Sequence, residues 1–221
     1  MTYDDSRERQ HRLYSLIYGD PPWTFKTYSF KGKGRSAEAH YDCMPTDEIK
    51  KLNVAALAAP DCLLALWVPF PHLLHGQAVM EAWGFTYKTV GFTWVKCRLK
   101  AIGEPLDPIK SFAFGGGYYT RANPEVCLFG VRGKPKRLRR DVRQLIIAPR
   151  RKHSQKPEEA YERLEQLIAG PYVELFARQR RPGWDVAFSR EADTGPGQRR
   201  WASNSYPGAA PDAMPEAAQR R

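Results

Sequence analysis

The sequence predicts an α/β domain in which a mixed, mostly parallel sheet carries helices on both faces. Short apolar runs of strand length alternate with helical segments along residues 13–190, as in doubly wound sheets. One run, 62–68, is apolar throughout, as expected for a central parallel strand that is buried on both faces. At 221 residues, the chain can bury one substantial core of this kind.

The first half of the chain supplies three predicted strands and two helices. The apolar run 13–18 is expected to be a short buried strand. Pro45 starts a short helix toward Leu52, and Pro71 opens a longer helix that ends at Gly84. The stretch 85–96 is rich in β-branched and aromatic residues and is predicted to be the next strand.

The second half continues the same alternation. Residues 125–131 are predicted to pair with 85–96 as in a hairpin, and 144–148 to form a short strand or an edge segment. Pro157 starts a helix toward Ile168, and 172–176 is a further buried strand. Residues 98–122 are expected to be irregular. Residues 1–12 are predicted to be flexible, and the basic tail 191–221, rich in Gly, Pro, Ala and Arg, is predicted to be disordered.

The charge of the chain favours a polyanionic partner. The net charge is +11 and the pI is about 9.6. A solvated basic surface is the alternative, but clustering of the charges favours nucleic acid. One cluster comprises Lys134, Lys136, Arg137, Arg139, Arg140 and Arg143, followed by Arg150, Arg151 and Lys152; another comprises Lys26, Lys31, Lys33 and Arg35.

Other features argue against a membrane or metal protein. No apolar run is long enough to span a membrane, and the N-terminus lacks a signal-peptide core. The four cysteines are scattered without a CxxC pair, as in reduced proteins, so a cytoplasmic location is expected. His72 and His75 are spaced i, i+3 but lack a third ligand nearby, and helix packing or surface is expected for them.

The tetrapeptide Asp20-Pro21-Pro22-Trp23 follows the first predicted strand directly. Ligands of open α/β sheets gather at the carboxyl ends of strands. Asp20 supplies an anionic acceptor there, the two prolines offer carbonyls without N–H donors, and Trp23 offers a flat face for a base. A proline-rich turn with a surface acid and a packing tryptophan is the alternative. Trp67, Trp83 and Trp94 are expected in the core, whereas Trp23 is expected outside it.

Such a motif suits methylation of an exocyclic amine. The amino nitrogen of adenine is a poor nucleophile because its lone pair is delocalised into the ring. Acceptors around its two hydrogens, such as Asp20 and the Pro21 carbonyl, can orient the amine toward a methyl donor. Catalysis would then come from positioning and from charge placement.

Glu174 lies on the last predicted strand and is a candidate acid for the ribose hydroxyls of a nucleoside ligand. No Gly-rich phosphate loop or GxGxxG is present, which disfavours a dinucleotide or a triphosphate. S-adenosylmethionine is a nucleoside ligand without phosphate, and its positive charges suit Asp20.

Several ordered motifs resemble the N6-adenine methyltransferases typified by the catalytic subunit of the eukaryotic messenger-RNA adenine methyltransferase, in a compact bacterial or phage form. They are Asp20-Pro21-Pro22-Trp23, His40-Tyr41 with Met44, Leu66-Trp67-Val68, Asn123-Pro124-Glu125 with Leu128-Phe129-Gly130, Arg150 with His153-Ser154 and Lys156-Pro157, Glu174-Leu175-Phe176-Ala177-Arg178, and Arg181-Pro182-Gly183-Trp184-Asp185. Ordered motifs at suitable separations are far more specific than any one of them.

The resemblance implies a Rossmann-like methyltransferase domain over 13–190, with permuted motif order and S-adenosylmethionine as methyl donor. It implies that Asp20, Pro21, Pro22 and Trp23 form the catalytic target-adenine site. The implied cofactor-binding residues are Asp20, Lys156, Glu174, Phe176, Arg178 and Ser189. The family commonly has a Trp-Gly-Asn element near 186–191; no Asn is present here, and Ser189 or backbone groups are the expected replacements.

The loops 24–40 and 98–122 match the family's mobile gates around the target base. Predicted nucleic-acid contacts are Lys26, Lys33, Arg35, Tyr118, Tyr119, Arg121, Lys136, Arg137, Arg150, Arg151 and Lys152.

The expected function is adenine-N6 methylation of nucleic acid, with DNA preferred to RNA, by a monomer or homodimer with or without an accessory subunit. A non-catalytic nucleic-acid-binding subunit, an RNA adenine methyltransferase and an enzyme acting on a free nucleotide or small amine remain alternatives.

Overall fold

The computed structural model describes residues 12–24, 43–107, 110–151 and 155–189. Within these ranges, seven strands form one sheet in the order β5-β3-β4-β2-β1-β6-β7. The strands are β1 (Tyr14–Gly19), β2 (Ala58–Val68), β3 (Thr86–Cys97), β4 (Glu125–Arg132), β5 (Leu145–Pro149), β6 (Tyr172–Leu175) and β7 (Trp184–Ala187). The α-helices of the same ranges are α1 (Thr46–Lys51), α2 (Leu73–Ala82) and α3 (Glu158–Leu167).

The sheet is mixed because β4 runs antiparallel to both of its neighbours, β2 and β3. The other neighbouring strands pair in parallel. The mixed, mostly parallel sheet and the antiparallel pairing of β3 with β4 are therefore confirmed. The prediction of a parallel strand at 62–68 is half right, since β2 is parallel to β1 but antiparallel to β4. A strand buried on both faces has the same apolar pattern whichever way its neighbour runs.

Helices cover both faces of the sheet, as predicted. Side chains of β2 alternate between two cores, with Leu64 and Leu66 on one face and Ala65 and Trp67 on the other. Helices α1 and α2 bury Ile49, Val79 and Met80 against the first face. Helix α3 buries Ala160 and Leu164 against the second. None of the helices in the described ranges is long and apolar enough to cross a membrane.

Some elements differ from the prediction. Strand β7 was not predicted, because its four residues form too short a pattern and become a strand only by pairing with β6. The helix expected from Pro71 begins as a 3-10 turn, Phe70–His72, and turns into α2 at Leu73. A further 3-10 helix, Val54–Leu57, precedes β2. The segments 1–11 and 191–221 lie outside the described residues, so their predicted flexibility and the domain limits stay predictions.

The register of the strands brings several chain segments to one edge of the sheet. Gly19 at the end of β1 pairs with Leu66 and with Leu175. Because β4 runs the opposite way, its first residues lie beside the last residues of β2 and near the end of β3, as the pair Trp94 and Glu125 illustrates. Asp20, Glu125 and the loop after β3 therefore meet at this edge, which we call the carboxyl edge.

Candidate active site

A chain of alternating charges occupies the carboxyl edge of the sheet. The Nζ atom of Lys156 lies 2.9 Å from Asp20 Oδ2 and 3.0 Å from Glu125 Oε2. The other oxygen of Glu125, Oε1, lies 2.5 Å from Lys96 Nζ. The Lys156 side chain is 9% exposed, whereas those of Asp20 and Glu125 are 23% and 30% exposed. Both carboxylates are therefore partly accessible to a ligand, while the buried Lys156 binds each of them from the protein interior.

The two carboxyl groups differ in their pKa. Burial raises the pKa of Asp20, although Lys156 acts in the opposite direction. Burial would also raise the pKa of Glu125, but Lys156 and Lys96 outweigh it and lower this pKa to about 2. For Lys156, the two carboxylates outweigh burial and raise its pKa. Glu125 is thus a fixed anion, and Asp20 is the more basic of the two acceptors.

Tryptophan rings support both lysines. Lys156 Nζ lies 5.4 Å from the centre of the Trp67 ring, and Lys96 Nζ lies 5.3 Å from that of Trp94. An ammonium group over an aromatic face is stabilised by the ring's electron density. The rings therefore help to fix the lysines, and through them the carboxylates.

The carbonyls of the two prolines already accept hydrogen bonds within the chain. Pro21 O accepts from Trp23 N at 2.8 Å, and Pro22 O accepts from Met44 N at 2.7 Å. A carbonyl oxygen has two lone pairs. Pro21 O therefore keeps a lone pair for a second donor, while its bond to Trp23 N fixes its direction.

Trp23 contradicts the expectation that it lies outside the core. Its side chain is 3% exposed and packs in the core cluster with Val68 and Ile17. The indole Nε1 donates to Trp67 O at 3.0 Å. The expectation failed because the strand bridge between Trp23 and Met44 folds the chain back over the sheet. The contacts of Trp23 fix the shape of the motif, and its part in the target site stays a prediction.

His72 joins the motif to the start of α2. Its Nε2 donates to Thr24 O at 2.9 Å, and its ring lies 5.8 Å from that of Trp23. Burial lowers the pKa of His72, which favours the neutral ring. His72 therefore packs against the motif. No cluster of ligating side chains suited to a metal ion occurs among the described residues.

Aromatic side chains lead from Trp67 to Glu174. Trp67 Nε1 donates to Tyr18 Oη at 2.7 Å, the Tyr18 and Tyr161 rings pack edge to face with centres 4.8 Å apart, and Tyr161 Oη donates to Glu174 Oε1 at 2.9 Å. Burial raises the pKa of Glu174 to about 7 despite this last bond, and the charge of Asp20 adds to the effect. The Tyr161 hydroxyl thus fixes the position of Glu174 Oε1.

The remaining predicted cofactor residues lie near the ends of β6 and β7. Phe176 follows β6 with a positive φ of 61° and donates its N–H to Ala187 O. The Arg178 charge acts to lower the pKa of Asp20. Ser189 Oγ is buried without a hydrogen-bond partner among the described residues. Glu174 itself lies inside β6, beside Tyr18 and Val186, rather than at the strand end.

The predicted nucleic-acid residues fall at two different edges of the sheet. Tyr118, Tyr119 and Arg121 belong to the loop that joins β3 to β4 at the carboxyl edge, and Arg150 and Arg151 follow β5 at the same edge. Arg151 forms an ion pair with Glu158 at 3.2 Å.

Lys136 and Arg137, by contrast, follow the other end of β4. Eight residues of strand place that end about 24 Å from Glu125. The structure therefore does not bring this basic segment to the site, and its contact with nucleic acid stays a prediction. Lys26, Lys33, Arg35 and Lys152, and the motif residues His40, Tyr41, His153 and Ser154, lie outside the described residues.

Sequence reasoning missed four polar residues of the site. Glu125 was recognised only as part of a motif, and Lys96, Tyr18 and Tyr161 were not singled out. Their proximity depends on the antiparallel direction of β4 and on the docking of α3, neither of which has a local pattern. The sequence feature that could have identified Glu125 is its position as the first residue of a predicted strand, directly after Asn123-Pro124.

Comparison with known proteins agrees with this geometry. The profile of the family described as MT-A70 matches residues 14–187. The chain is 31% identical to the type II methyltransferase M.MunI of a Mycoplasma species, over 79% of this chain and 76% of that protein. It is 31% identical to an Arabidopsis thaliana N(6)-adenosine-methyltransferase MT-A70-like protein and 28% identical to the Danio rerio N(6)-adenosine-methyltransferase subunit METTL3, over 77% of this chain in each case. It spans only 23% and 27% of those two proteins.

The mixed, mostly parallel sheet with an acid-bearing motif at its carboxyl edge is consistent with the Rossmann-like fold of methyltransferases. Within that class, the chain belongs to the MT-A70 family. The predicted family, fold and enzyme class, that of adenine-N6 methyltransferases, are confirmed.

Proposed function

We propose that the chain transfers a methyl group from S-adenosylmethionine to the N6 amine of adenine in nucleic acid, with DNA ahead of RNA. The observation that carries this proposal is the triad of Asp20, Lys156 and Glu125 at the end of β1. It offers two partly exposed carboxylates around a buried cation, at the position where open α/β sheets bind their ligands.

Asp20 and the Pro21 carbonyl are the proposed acceptors for the two amine hydrogens. Lys156 holds Asp20 in place, and the bond from Trp23 N holds Pro21 O. Two acceptors fixed in this way would direct the nitrogen lone pair out of the plane of the base, toward the methyl donor. Positioning of this kind supplies catalysis without a covalent intermediate.

Glu125 has a different proposed part. Its lowered pKa keeps it ionised, and its two oxygens are bonded to Lys96 and Lys156. A permanent anion beside the amine favours the positive charge that develops on nitrogen when the N–C bond forms. Asp20, whose pKa is raised by burial, is the better placed of the two to take up the leaving proton.

The residues present fit the proposed methyl donor. A half-buried carboxylate with one oxygen held by Tyr161 suits the adjacent hydroxyls of a ribose. The buried Ser189 Oγ, without a partner among the described residues, is an unused polar group near the ends of β6 and β7. S-adenosylmethionine would supply a methyl group bound to a positively charged sulfur, which is an electrophile for the amine. Glu174 and Ser189 would hold its adenosine part, with Phe176 and Arg178 beside them.

DNA is proposed ahead of RNA because the similarity to M.MunI covers most of both chains, whereas only a quarter of the eukaryotic relatives is matched. The net charge of +11 supports a polyanionic substrate over a free nucleotide. The cytoplasmic location and the oligomeric state stay predictions.

The test is transfer of labelled methyl groups from S-adenosylmethionine to unmethylated duplex DNA, single-stranded DNA and RNA. Label recovered as N6-methyladenine in duplex DNA, above the other two, is the expected result. Label in RNA alone would show that RNA, and not DNA, is the substrate. Absence of label in all three, with S-adenosylmethionine binding intact in calorimetry, would contradict the proposed reaction.

A further inference from the structure

We propose that residues 111–122, here called the arm, enter duplex nucleic acid beside the target adenine, where Tyr119 fills the gap left by the displaced base. The inference rests on the proposed function and makes its substrate specific: an adenine that is paired until the protein binds. An enzyme that modifies a base inside a duplex must take that base out of the stack.

The root of the arm is built from residues of the active site. Lys96 N donates to Asn123 Oδ1 at 3.1 Å, and Asn123 Nδ2 donates to Lys96 O at 2.9 Å and to Ala113 O. The side chain of the same Lys96 bonds Glu125. These bonds therefore tie the arm to the carboxylate that we place beside the target amine.

Backbone hydrogen bonds keep the arm in one shape. Ala113 N donates to Lys96 O at 2.8 Å, and Gly115 N donates to Ala122 O at 2.6 Å. A Cβ atom on Gly117 would overlap the carbonyl oxygen of Thr120, so only glycine fits this turn. The two sides of the arm are held together, and its tip comprises residues 116–121.

The tip presents aromatic side chains to solvent. Tyr119 is 102% exposed and Tyr118 is 59% exposed. Six residues of chain separate Tyr119 from Glu125, so the two lie at most about 20 Å apart. An exposed ring at this distance can reach the base stack of a duplex whose target base lies at Glu125.

The charges around the arm favour nucleic acid over a protein partner. Residues 98–122 contain the basic side chains Arg98, Lys100, Lys110 and Arg121, against the acidic Glu104 and Asp107. Arg121 is exposed two residues from Tyr119. Side chains inserted between base steps, with basic residues on the adjacent phosphates, are a common way to hold a distorted duplex.

The experiment compares two duplexes that contain an adenine methylated by the wild-type protein. One is fully paired, and the other has an abasic site opposite the target, so that this adenine is already unpaired. Tyr119→Ala is expected to lower kcat/KM on the paired duplex by about tenfold, the effect of losing one aromatic stack, with less than about a threefold change on the unpaired one. Tyr119→Phe should behave like the wild type because it keeps the ring.

Tyr87→Ala is the matched control, since Tyr87 is 36% exposed at the start of β3, far from the carboxyl edge. It should leave both rates unchanged. Equal losses on the two duplexes, or no loss in Tyr119→Ala, would overturn the proposal. No loss of rate together with a loss of self-association in the ultracentrifuge would assign the tip to a protein contact instead.

A second readout separates this proposal from the proposed function. 2-Aminopurine, placed at each adenine of a duplex in turn, fluoresces when it leaves the stack. An increase in fluorescence with wild-type protein that is absent in Tyr119→Ala would support insertion of Tyr119 even if no methyl group were transferred. No increase in fluorescence at any position would contradict insertion of Tyr119. Methylation of single-stranded substrates would in that case still support the proposed function.

Discussion

Lys156 and Asp20 form an ion pair, 2.9 Å between Nζ and Oδ2, beneath the proposed target pocket. The lysine is buried and is shared with Glu125, so its removal would leave two carboxyl groups close together without their common cation. Like charges in this position raise each other's pKa. The pair therefore gives Lys156 a part in setting the charge of the pocket.

Lys156→Met is expected to lower the rate of methyl transfer by at least about a hundredfold, because Asp20 would lose its orientation and part of its negative charge. Lys156→Arg keeps the charge and should retain more activity. Methyl-transfer rates, with thermal unfolding as the check on folding, measure this. Equal activity of Lys156→Met and the wild type would contradict the assignment.

Affinity for S-adenosylmethionine is expected to depend on pH through Glu174. Its pKa of about 7 means that the carboxylate is half protonated at neutral pH. If the ionised form binds the ribose, the affinity should weaken about tenfold from pH 8 to pH 6. Calorimetric titrations across this range test the prediction. Glu174→Gln should bind weakly with little pH dependence, and the same steep dependence in that variant would assign the titration to another group.

Glu174 also makes the stability of the protein depend on pH. The free energy of unfolding should fall as the pH rises, whereas the affinity for S-adenosylmethionine should increase. The folded protein holds this proton up to about pH 7, whereas the unfolded chain releases it near its ordinary pKa of 4.5. More protons are bound in the folded state within that window, so Glu174 makes the free energy of unfolding fall as the pH rises from 4.5 to 7. Urea unfolding at several pH values should show a smaller decrease in Glu174→Gln than in the wild type.

Tyr161→Phe is expected to weaken binding of S-adenosylmethionine by about tenfold, the usual cost of losing a hydrogen bond to a charged group. The bond from Tyr161 lowers the pKa of Glu174, so its loss should also move the pH midpoint of binding upward. Tyr172→Phe is a control, because Tyr172 Oη donates to Ile168 O and not to the acid. An unshifted midpoint in Tyr161→Phe would indicate a merely structural tyrosine.

Trp23→Phe should reduce the free energy of unfolding by about 1–2 kcal/mol, because it removes the buried hydrogen bond from Trp23 Nε1 to Trp67 O and part of a core ring. Affinity for S-adenosylmethionine should change little. Chemical denaturation and calorimetry measure the two effects. A stability equal to the wild type with a large loss of nucleic-acid affinity would restore the exposed stacking role.

The sequence predicted the elements whose patterns are local. Strands such as 85–96 and helices that begin after Pro45 and Pro157 were recognisable from apolar runs and start signals. Strand β7 and the antiparallel contact of β2 with β4 depend on pairing between distant segments, which no local pattern specifies.

The candidate site divides in the same way. Asp20, Lys156 and Glu174 were predicted from motifs, and the geometry places Asp20 with Lys156. Glu125 and Tyr161 reach the site only because β4 and α3 dock as they do. Trp23 was expected outside the core because it follows two prolines at a strand end. Its β-bridge to Met44, which buries it, has no local sequence pattern.

The most direct measurement of the central claim is methyl transfer by Asp20→Asn beside the wild type, on a nucleic acid that the wild type methylates, with S-adenosylmethionine affinity measured in both. Asparagine keeps the shape of the side chain but removes its charge and basicity. The account predicts N6-methyladenine from the wild type and a loss of at least about a hundredfold in the variant when S-adenosylmethionine is saturating for both proteins. Comparable activity of the two proteins would contradict the assignment of Asp20 to catalysis.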